Sequence, residues 1–312
     1  MKKFSFVIAC YNSSKSLKGV VEEITSTMIQ RKEIEFEIIL VNDYSRDNTY
    51  EVITDLCQAD TRIKGISLAK NFGQQPAMLA GFSHVTGDTV IYCDDDGQSP
   101  VVNLFELTDA LDQGRDMVWS KYKENNNALV KWLGSKVNDT MVKFFLQKPD
   151  DLYFGNLWVA KRFVIDEAVK CKNPFPYLGG LFLKITNNMT NVVLVQRKRV
   201  HGKTNYSLKK LMSIWLNGFT GFSVLPLRIA LIMGLGISFI SMMLIIYLIY
   251  LKITSPNVPL GYSSILSAIL FMGGITMIIL GLLGEYIGRI YININAVPQY
   301  VIKQKINLKN EN

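Results

Sequence analysis

The sequence predicts an α/β domain, a mostly parallel sheet with helices on both faces, followed by two membrane-spanning helices. Three observations lead there. Strand-like and helix-like runs alternate through the first hundred residues, the pattern of parallel strands joined by crossover helices. Two long runs beyond residue 228 carry no charge. A triplet of carboxylates, Asp94-Asp95-Asp96, closes the fourth strand-like run and is followed by Gly97, Gln98, Ser99 and Pro100.

The elements follow in order. Phe4 to Cys10 is an apolar, partly β-branched run and reads as a buried strand. Tyr11 to Ser14 offers helix-capping side chains, and Leu17, Val20, Val21, Ile24 and Met28 recur at helical spacing. Phe36 to Val41 is a second strand, and Ser45 or Asp47 caps a helix that turns Val52, Ile53 and Leu56 inward. Ile63 to Leu68 is a third strand, and Pro76 suits the first turn of a third helix. Thr89 to Cys93 is a fourth strand, and Pro100 opens a fourth helix. Residues 123 to 148 read as helical around an Asn125-Asn126-Asn127 loop, and Asn191 to Gln196 reads as a late strand.

Ile229 to Leu251 is uncharged and lies between Arg228 and Lys252; a second uncharged run ends at Gly284, before Glu285. Each has the ~20 helical residues that cross a bilayer. Neither is N-terminal, so no signal peptide is expected. Leu208, Leu211, Met212, Trp215, Leu216 and Phe219 trace one face of a preceding helix that suits the lipid surface. Lys and Arg crowd the segment before the first span and the C-terminal tail, whereas the linker between spans holds one Lys. The positive-inside rule then places both termini in the cytoplasm and the linker outside. The expected division is a cytoplasmic domain over 1–206, an amphipathic juxtamembrane helix over 207–228, two membrane helices over 229–290 and a cytoplasmic tail over 291–312. Gly273, Gly274, Gly281 and Gly284 would allow close helix packing and a homo-oligomer.

The net charge is +8 and the mean hydropathy +0.17. Basic residues gather beside the membrane segment, which fits anionic lipid head groups, and no aromatic-plus-basic pattern of a nucleic-acid module is present. Cys10, Cys57, Cys93 and Cys171 are scattered, with no paired spacing, and read as core residues of a reducing compartment.

In an open α/β sheet, ligands bind beyond the carboxyl ends of the strands. Asn12, Asp43 and Asp94 to Asp96 all fall there. Three adjacent carboxylates repel one another unless a cation joins them, and hard oxygen donors suit Mg²⁺ or Mn²⁺ carried by a nucleoside diphosphate. A solvated acidic turn is the alternative.

Six stretches in order carry a family resemblance: Val7 to Asn12, Ile39 to Thr49, Lys70 to Gly73, Gly81 to Asp88, the Asp triplet with Gln98, and Gly284 to Tyr291. With them the chain resembles glycosyltransferase family 2 enzymes of the A-type fold. More narrowly, it is similar to the polyprenyl-phosphate glycosyltransferases, which include dolichyl-phosphate mannose synthase and undecaprenyl-phosphate sugar transferases. The resemblance implies that Tyr11 and Asp43 hold the base and ribose, with Ala9, Asn12 and Lys70 beside them. It implies that Asp94 contacts the nucleotide and that Asp96 and Gln98 ligate the metal, with Asp94 also within its reach and Asp95 the least defined of the triplet. Arg199 to Tyr206 resembles the family's acceptor stretch, so Arg199, His201, Lys203 and Tyr206 would grip a lipid phosphate. Lys121 and Lys123 stand where relatives carry the acceptor-loop arginines. A basic loop that binds anionic lipid in general is the alternative for this stretch.

The chain departs from the family at Ala9 (usually Pro), Ser13 (usually Glu) and Asn42-Asp43-Tyr44 (usually Asp-Asp-Gly). Asn156 stands where relatives often place an Asp, which questions a carboxylate base there and leaves Asp150 or Asp151 to supply one. A phosphate monoester is already mostly a dianion at neutral pH, so it needs positioning more than proton removal. The expected activity is transfer of one sugar from a nucleotide sugar to polyprenyl phosphate, undecaprenyl phosphate in particular, at the cytoplasmic face of the plasma membrane, with inversion. UDP-sugar is the donor the resemblance implies, with guanosine and thymidine open. The alternatives are extension of a saccharide acceptor and a non-catalytic membrane scaffold.

Overall fold

A computed structural model of the chain describes residues 2–31, 33–122, 148–173, 176–195, scattered positions between 232 and 254, 261–295 and 297–308. Among the described residues eight strands form one sheet, and five of them appear early: β1 (Lys2–Cys10), β2 (Ile34–Asn42), β3 (Ile63–Leu68), β4 (Thr89–Tyr92) and β5 (Met117–Tyr122). The others are β6 (Trp158–Lys161), β7 (Met189–Leu194) and β8 (Ile302–Ile306). Their order across the sheet is β7-β5-β6-β4-β1-β2-β3-β8. Strands β3, β2, β1 and β4 are parallel neighbours, as are β5 and β7, while β6 and β8 run antiparallel to the strands they join. The mostly parallel α/β sheet read from the sequence is therefore present, with two reversed strands added to it.

Helices cover both faces because the central strands are apolar on both sides. On one face Phe4, Phe6, Ile8, Ile38 and Leu40 pack with α1 (Leu17–Ile29), α2 (Thr49–Ala59) and α4 (Leu104–Asp112). On the other, Val7, Ile39, Val41, Val90 and Tyr92 pack with α3 (Gln74–Phe82), α5 (Arg162–Val169) and α6 (Leu178–Ile185). Alternate residues of one strand serve opposite cores, as the two-residue side-chain period requires. Pro100 leads first into a single 3₁₀ turn, Val101–Asn103, before α4 begins.

The chain divides into two compact units, residues 1–211 with 296–312, and residues 212–295. The C-terminal segment, expected as a plain tail, supplies β8. The sequence Ile302-Lys-Gln-Lys-Ile306 is apolar at its two ends, and the strand pairs antiparallel with β3 over Gly65 to Leu68. Lys303 on this edge strand is exposed, a charge that discourages further strand addition. In the second unit, α7 (Tyr262–Ile294) is 33 residues long. Its Phe271–Ile292 stretch has a mean hydropathy of 1.6 with none of the window buried, so it is long and apolar enough to span a bilayer. Among the described residues it is the one helix that meets those criteria. The described positions between 232 and 254 are helical. The expected amphipathic helix over 207–228 and most of the first expected span lie outside the described residues.

Candidate active site

The strand order reverses between β1 and β4: β1 leads outward to β2 and β3, and β4 turns the other way. A crevice opens at such a switch point, beyond the strand ends. The loop after β1 and the Asp triplet after β4 meet there. The backbone N–H of Tyr11 donates to Asp95 Oδ2 at 3.1 Å, and Ser16 Oγ donates to the Asp95 carbonyl at 2.6 Å. Asp95 thus ties the two rim loops together. Burial raises its carboxyl pKa, while the Tyr11 N–H works in the opposite direction.

Asp94 is held from three sides. Tyr92, two residues earlier and so on the same strand face, donates its hydroxyl to Asp94 Oδ1 at 2.9 Å. Gln74 Nε2, in the first turn of α3, reaches both Asp94 Oδ1 (3.0 Å) and the Tyr92 hydroxyl (2.7 Å). The third contact comes from β6. Tyr92 pairs with Trp158 in the antiparallel β4–β6 ladder, and continuing that register by two residues sets Asp94 opposite Asn156. Asn156 Oδ1 accepts the Tyr122 hydroxyl at 2.5 Å, and its amide hydrogen-bonds to Asp94. With the oxygen committed to Tyr122, the NH₂ end is the one turned to the carboxylate. Gly155 permits this approach, since a Cβ there would lie 2.0 Å from the Ser120 carbonyl oxygen. Burial lifts the Asp94 carboxyl to about 6, helped by the charges of Asp96 and Asp95 and opposed by the Tyr92 and Asn156 hydrogen bonds. Burial also pushes the Tyr122 hydroxyl up to about 12, so it stays a donor.

Asp43 is buried, and its carboxylate accepts the backbone N–H groups of Phe72 (2.7 Å) and Gly73 (2.8 Å). Asn71 Nδ2 donates to the Asp43 carbonyl at 3.1 Å. Gly73, at φ 97°, takes the turn that starts α3. Asn12 has φ 55°, a conformation Asn tolerates better than most residues. Its side chain accepts the Arg46 N–H at 2.8 Å and its own N–H donates to Ser45 Oγ. Asp47 accepts from Ser14 and Thr49, which lowers its carboxyl pKa despite partial burial and joins the start of α2 to the β1–α1 loop. Ala9 lies in β1 opposite Val41 and packs on the second core. Tyr11 and Tyr44 are exposed on the rim, and the Lys70 ammonium lies 5.0 Å from the Phe72 ring centroid.

Asp96 Oδ1 accepts the Gln98 N–H at 3.0 Å. Among the described residues no three His, Cys, Asp or Glu side chains form a complete metal cage. A divalent ion that arrives on a diphosphate keeps waters and phosphate oxygens and needs only one or two protein carboxylates. The all-oxygen set of Asp96 and Gln98 fits that requirement, with Asp94 alongside. Asp151 is exposed in the turn before Leu152. Lys121 is exposed near the end of β5, while Lys123, Arg199, His201, Lys203 and Tyr206 lie outside the described residues. Sequence reasoning missed Gln74, Tyr92 and Tyr122. The two-residue strand period could have found Tyr92 from Asp94.

Residues 5–168 match Glycosyl transferase family 2, and residues 225–290 match the GtrB C-terminal hairpin. The chain belongs to glycosyltransferase family 2. It is a glycosyltransferase, and its relatives include polyprenyl-phosphate enzymes. It is 32% identical over 307 residues to the putative glycosyltransferase CsbB of Bacillus subtilis, covering 96% of this chain and 91% of that protein. It is 30% identical over 311 residues to the prophage bactoprenol glucosyl transferase homolog of Escherichia coli, and 30% over 312 residues to the bactoprenol glucosyl transferase of Shigella phage SfX. Both alignments cover 97% of this chain and 99% of the relative. Among solved structures, the fold is similar to that of Mycobacterium tuberculosis glucosyl-3-phosphoglycerate synthase in complex with Mn²⁺ and UDP-glucose. That likeness has a TM-score of 0.51 at 14% identity and covers 70% of this chain and 77% of that one.

Proposed function

We propose that this glycosyltransferase moves one sugar from a UDP-sugar to polyprenyl phosphate, undecaprenyl phosphate in particular, at the cytoplasmic face of the plasma membrane. The observation that carries the reading is Asn156. It presents an amide, locked between Tyr122 and Asp94, where a sugar-hydroxyl acceptor would need a base. A phosphate dianion attacks without one. The bactoprenol glucosyl transferases similar to this chain over nearly its whole length support the same acceptor class.

In the proposed reaction, a phosphate oxygen of the lipid forms the new bond to the anomeric carbon as the bond to the nucleoside diphosphate breaks. Attack opposite the leaving group inverts that carbon. Asp96 and Gln98 would hold Mg²⁺ or Mn²⁺, which supplies charge neutralisation to the leaving diphosphate. Tyr11 and Asp43 stand at the nucleoside end of the rim, and Asp94 faces the donor. Lys121, Lys123, Arg199, His201, Lys203 and Tyr206 are the proposed cations and donors for the lipid phosphate.

The fold supports an even number of membrane crossings. Strand β8, after the second unit, hydrogen-bonds to β3, before it, so the chain returns to the side from which it left. Two spans, over 229–251 and within α7, satisfy this, and the Lys and Arg bias makes that side cytoplasmic. The test is transfer from a panel of labelled nucleotide sugars to undecaprenyl phosphate, with and without Mn²⁺. Metal-dependent labelling of the lipid by one donor is expected; donor binding without transfer across the whole panel would instead support a scaffold.

A further inference from the structure

Helix α3 and the turn before it hold two carboxylates of the site, buried Asp43 and partly buried Asp94. The turn donates the Phe72 and Gly73 N–H groups to Asp43, and Gln74 in the first turn of the helix donates to Asp94. The C-terminal segment hydrogen-bonds to the chain on both sides of this helix. Before the helix, the Val301 carbonyl accepts the Ala69 N–H at 2.8 Å. After it, the Tyr300 hydroxyl donates to Ser83 Oγ at 3.2 Å, and Ser83 is the residue that caps α3. Gln299 Nε2 donates to the carbonyls of Cys171 (2.8 Å) and Asn173 (2.6 Å), beyond the end of α5. Tyr300 and Ile302 pack into the same core as Phe72, Ala77 and Leu79. At the far end of β8, Asn307 Nδ2 donates to the carbonyls of Cys57, in α2, and Ile63, at the start of β3.

We propose that Tyr300 is a positioning residue for the donor nucleotide, acting through α3 on Asp43 and Asp94, with Gln299 fixing the strap beside it through its bonds to the segment after α5. The proposal rests on the nucleotide-sugar reading of the rim. The strap belongs to the segment that follows the membrane unit, and Asn307 provides an internal control, since it anchors the same strand away from the site.

The experiment uses the full chain in lipid nanodiscs, with the Gln299→Ala/Tyr300→Phe double variant compared with Asn307→Ala. Two readouts are taken: hydrogen exchange at the Phe72 and Gly73 amides, and the dissociation constant of UDP with Mn²⁺. The double variant is expected to speed exchange at those amides about fivefold or more and to weaken UDP about three- to tenfold, the effect of loosening one or two hydrogen bonds. Asn307→Ala is expected to lower the melting temperature while leaving both readouts unchanged. Unchanged exchange at Phe72 and Gly73 would overturn the proposal. Faster exchange with unaltered UDP affinity would overturn the link to the donor and leave a purely structural strap. Wild-type protein that binds no UDP would refute the nucleotide reading itself, while the exchange data would still decide whether the strap holds α3.

Discussion

Asp94→Asn should stabilise the metal-free protein at neutral pH while impairing its use of the donor. The Asp94 carboxyl is raised from 3.8 to about 6, chiefly by burial. The folded protein therefore takes up this proton more readily than the unfolded chain does. The resulting cost is absent below pH ~4, grows as pH rises, and is complete above about 6. A rise from 3.8 to about 6 corresponds to about 3 kcal/mol as a ceiling. Asp94 is only partly shielded from water, so screening brings the real figure below that. Asn keeps an oxygen for Tyr92 and Gln74 and carries no charge, although its NH₂ cannot accept from the Asn156 amide, which takes back part of the gain. At about 2–4 °C per kcal/mol for a domain of this size, the variant should melt roughly 3–6 °C above wild type at pH 8 in EDTA and within a degree of it at pH 4. The assay is a thermal melt of the full chain across pH 4–8, paired with UDP binding in Mn²⁺. An equal shift at both pH extremes, or no gain at pH 8, would refute the reasoning.

Asp96→Ala should lower transfer by about 10²–10³-fold and Gln98→Ala by less, each raising the Mn²⁺ concentration needed for half-maximal rate; full metal-dependent activity in Asp96→Ala would remove the metal assignment. Asn156→Ala should weaken the donor about tenfold through loss of its contact to Asp94, with kcat for a lipid phosphate falling far less than loss of a catalytic base would cause, as a KM and kcat comparison would reveal. Glu37 is a separate, structural case. It is buried beneath Lys64 (2.5 Å), Ser5 (2.6 Å) and the Thr86 N–H (2.6 Å), and these bonds lower its carboxyl pKa although burial alone would raise it. Its stabilisation is present above the unfolded value near 4.5 and is lost as pH falls through the lower folded value. Glu37→Gln should therefore cost about 2–4 kcal/mol at pH 7, with the gap to wild type closing in acid; chemical denaturation at several pH values measures it.

The strands that carry the site were legible because each is a continuous apolar run, and in a parallel sheet such runs end where ligands bind. That logic places Asn12, Asp43 and Asp94 on one rim from the sequence alone. It could not reach Gln74 or Tyr122, since their contacts to Asp94 and Asn156 span 20 and 34 residues of chain. Strand β6 escaped because Trp158-Val-Ala-Lys161 is only four residues long and runs straight into α5. Strand β8 escaped for a different reason. Its two lysines make a charged tail by composition, and only Ile302 and Ile306, half-buried at the two ends of the run, mark the edge strand. The Asn156 departure was visible in sequence, but its meaning came from the Tyr122 hydroxyl, which fixes the orientation of the amide.

The most direct test of the account is the identity of the product. Purified full-length protein would be given one accepted UDP-sugar, Mn²⁺ and undecaprenyl phosphate in nanodiscs, and the lipid fraction weighed by mass spectrometry. The account predicts undecaprenyl phosphate bearing one sugar and one UDP released per sugar transferred. Label on a saccharide chain, or UDP released with no glycosylated lipid, would contradict it.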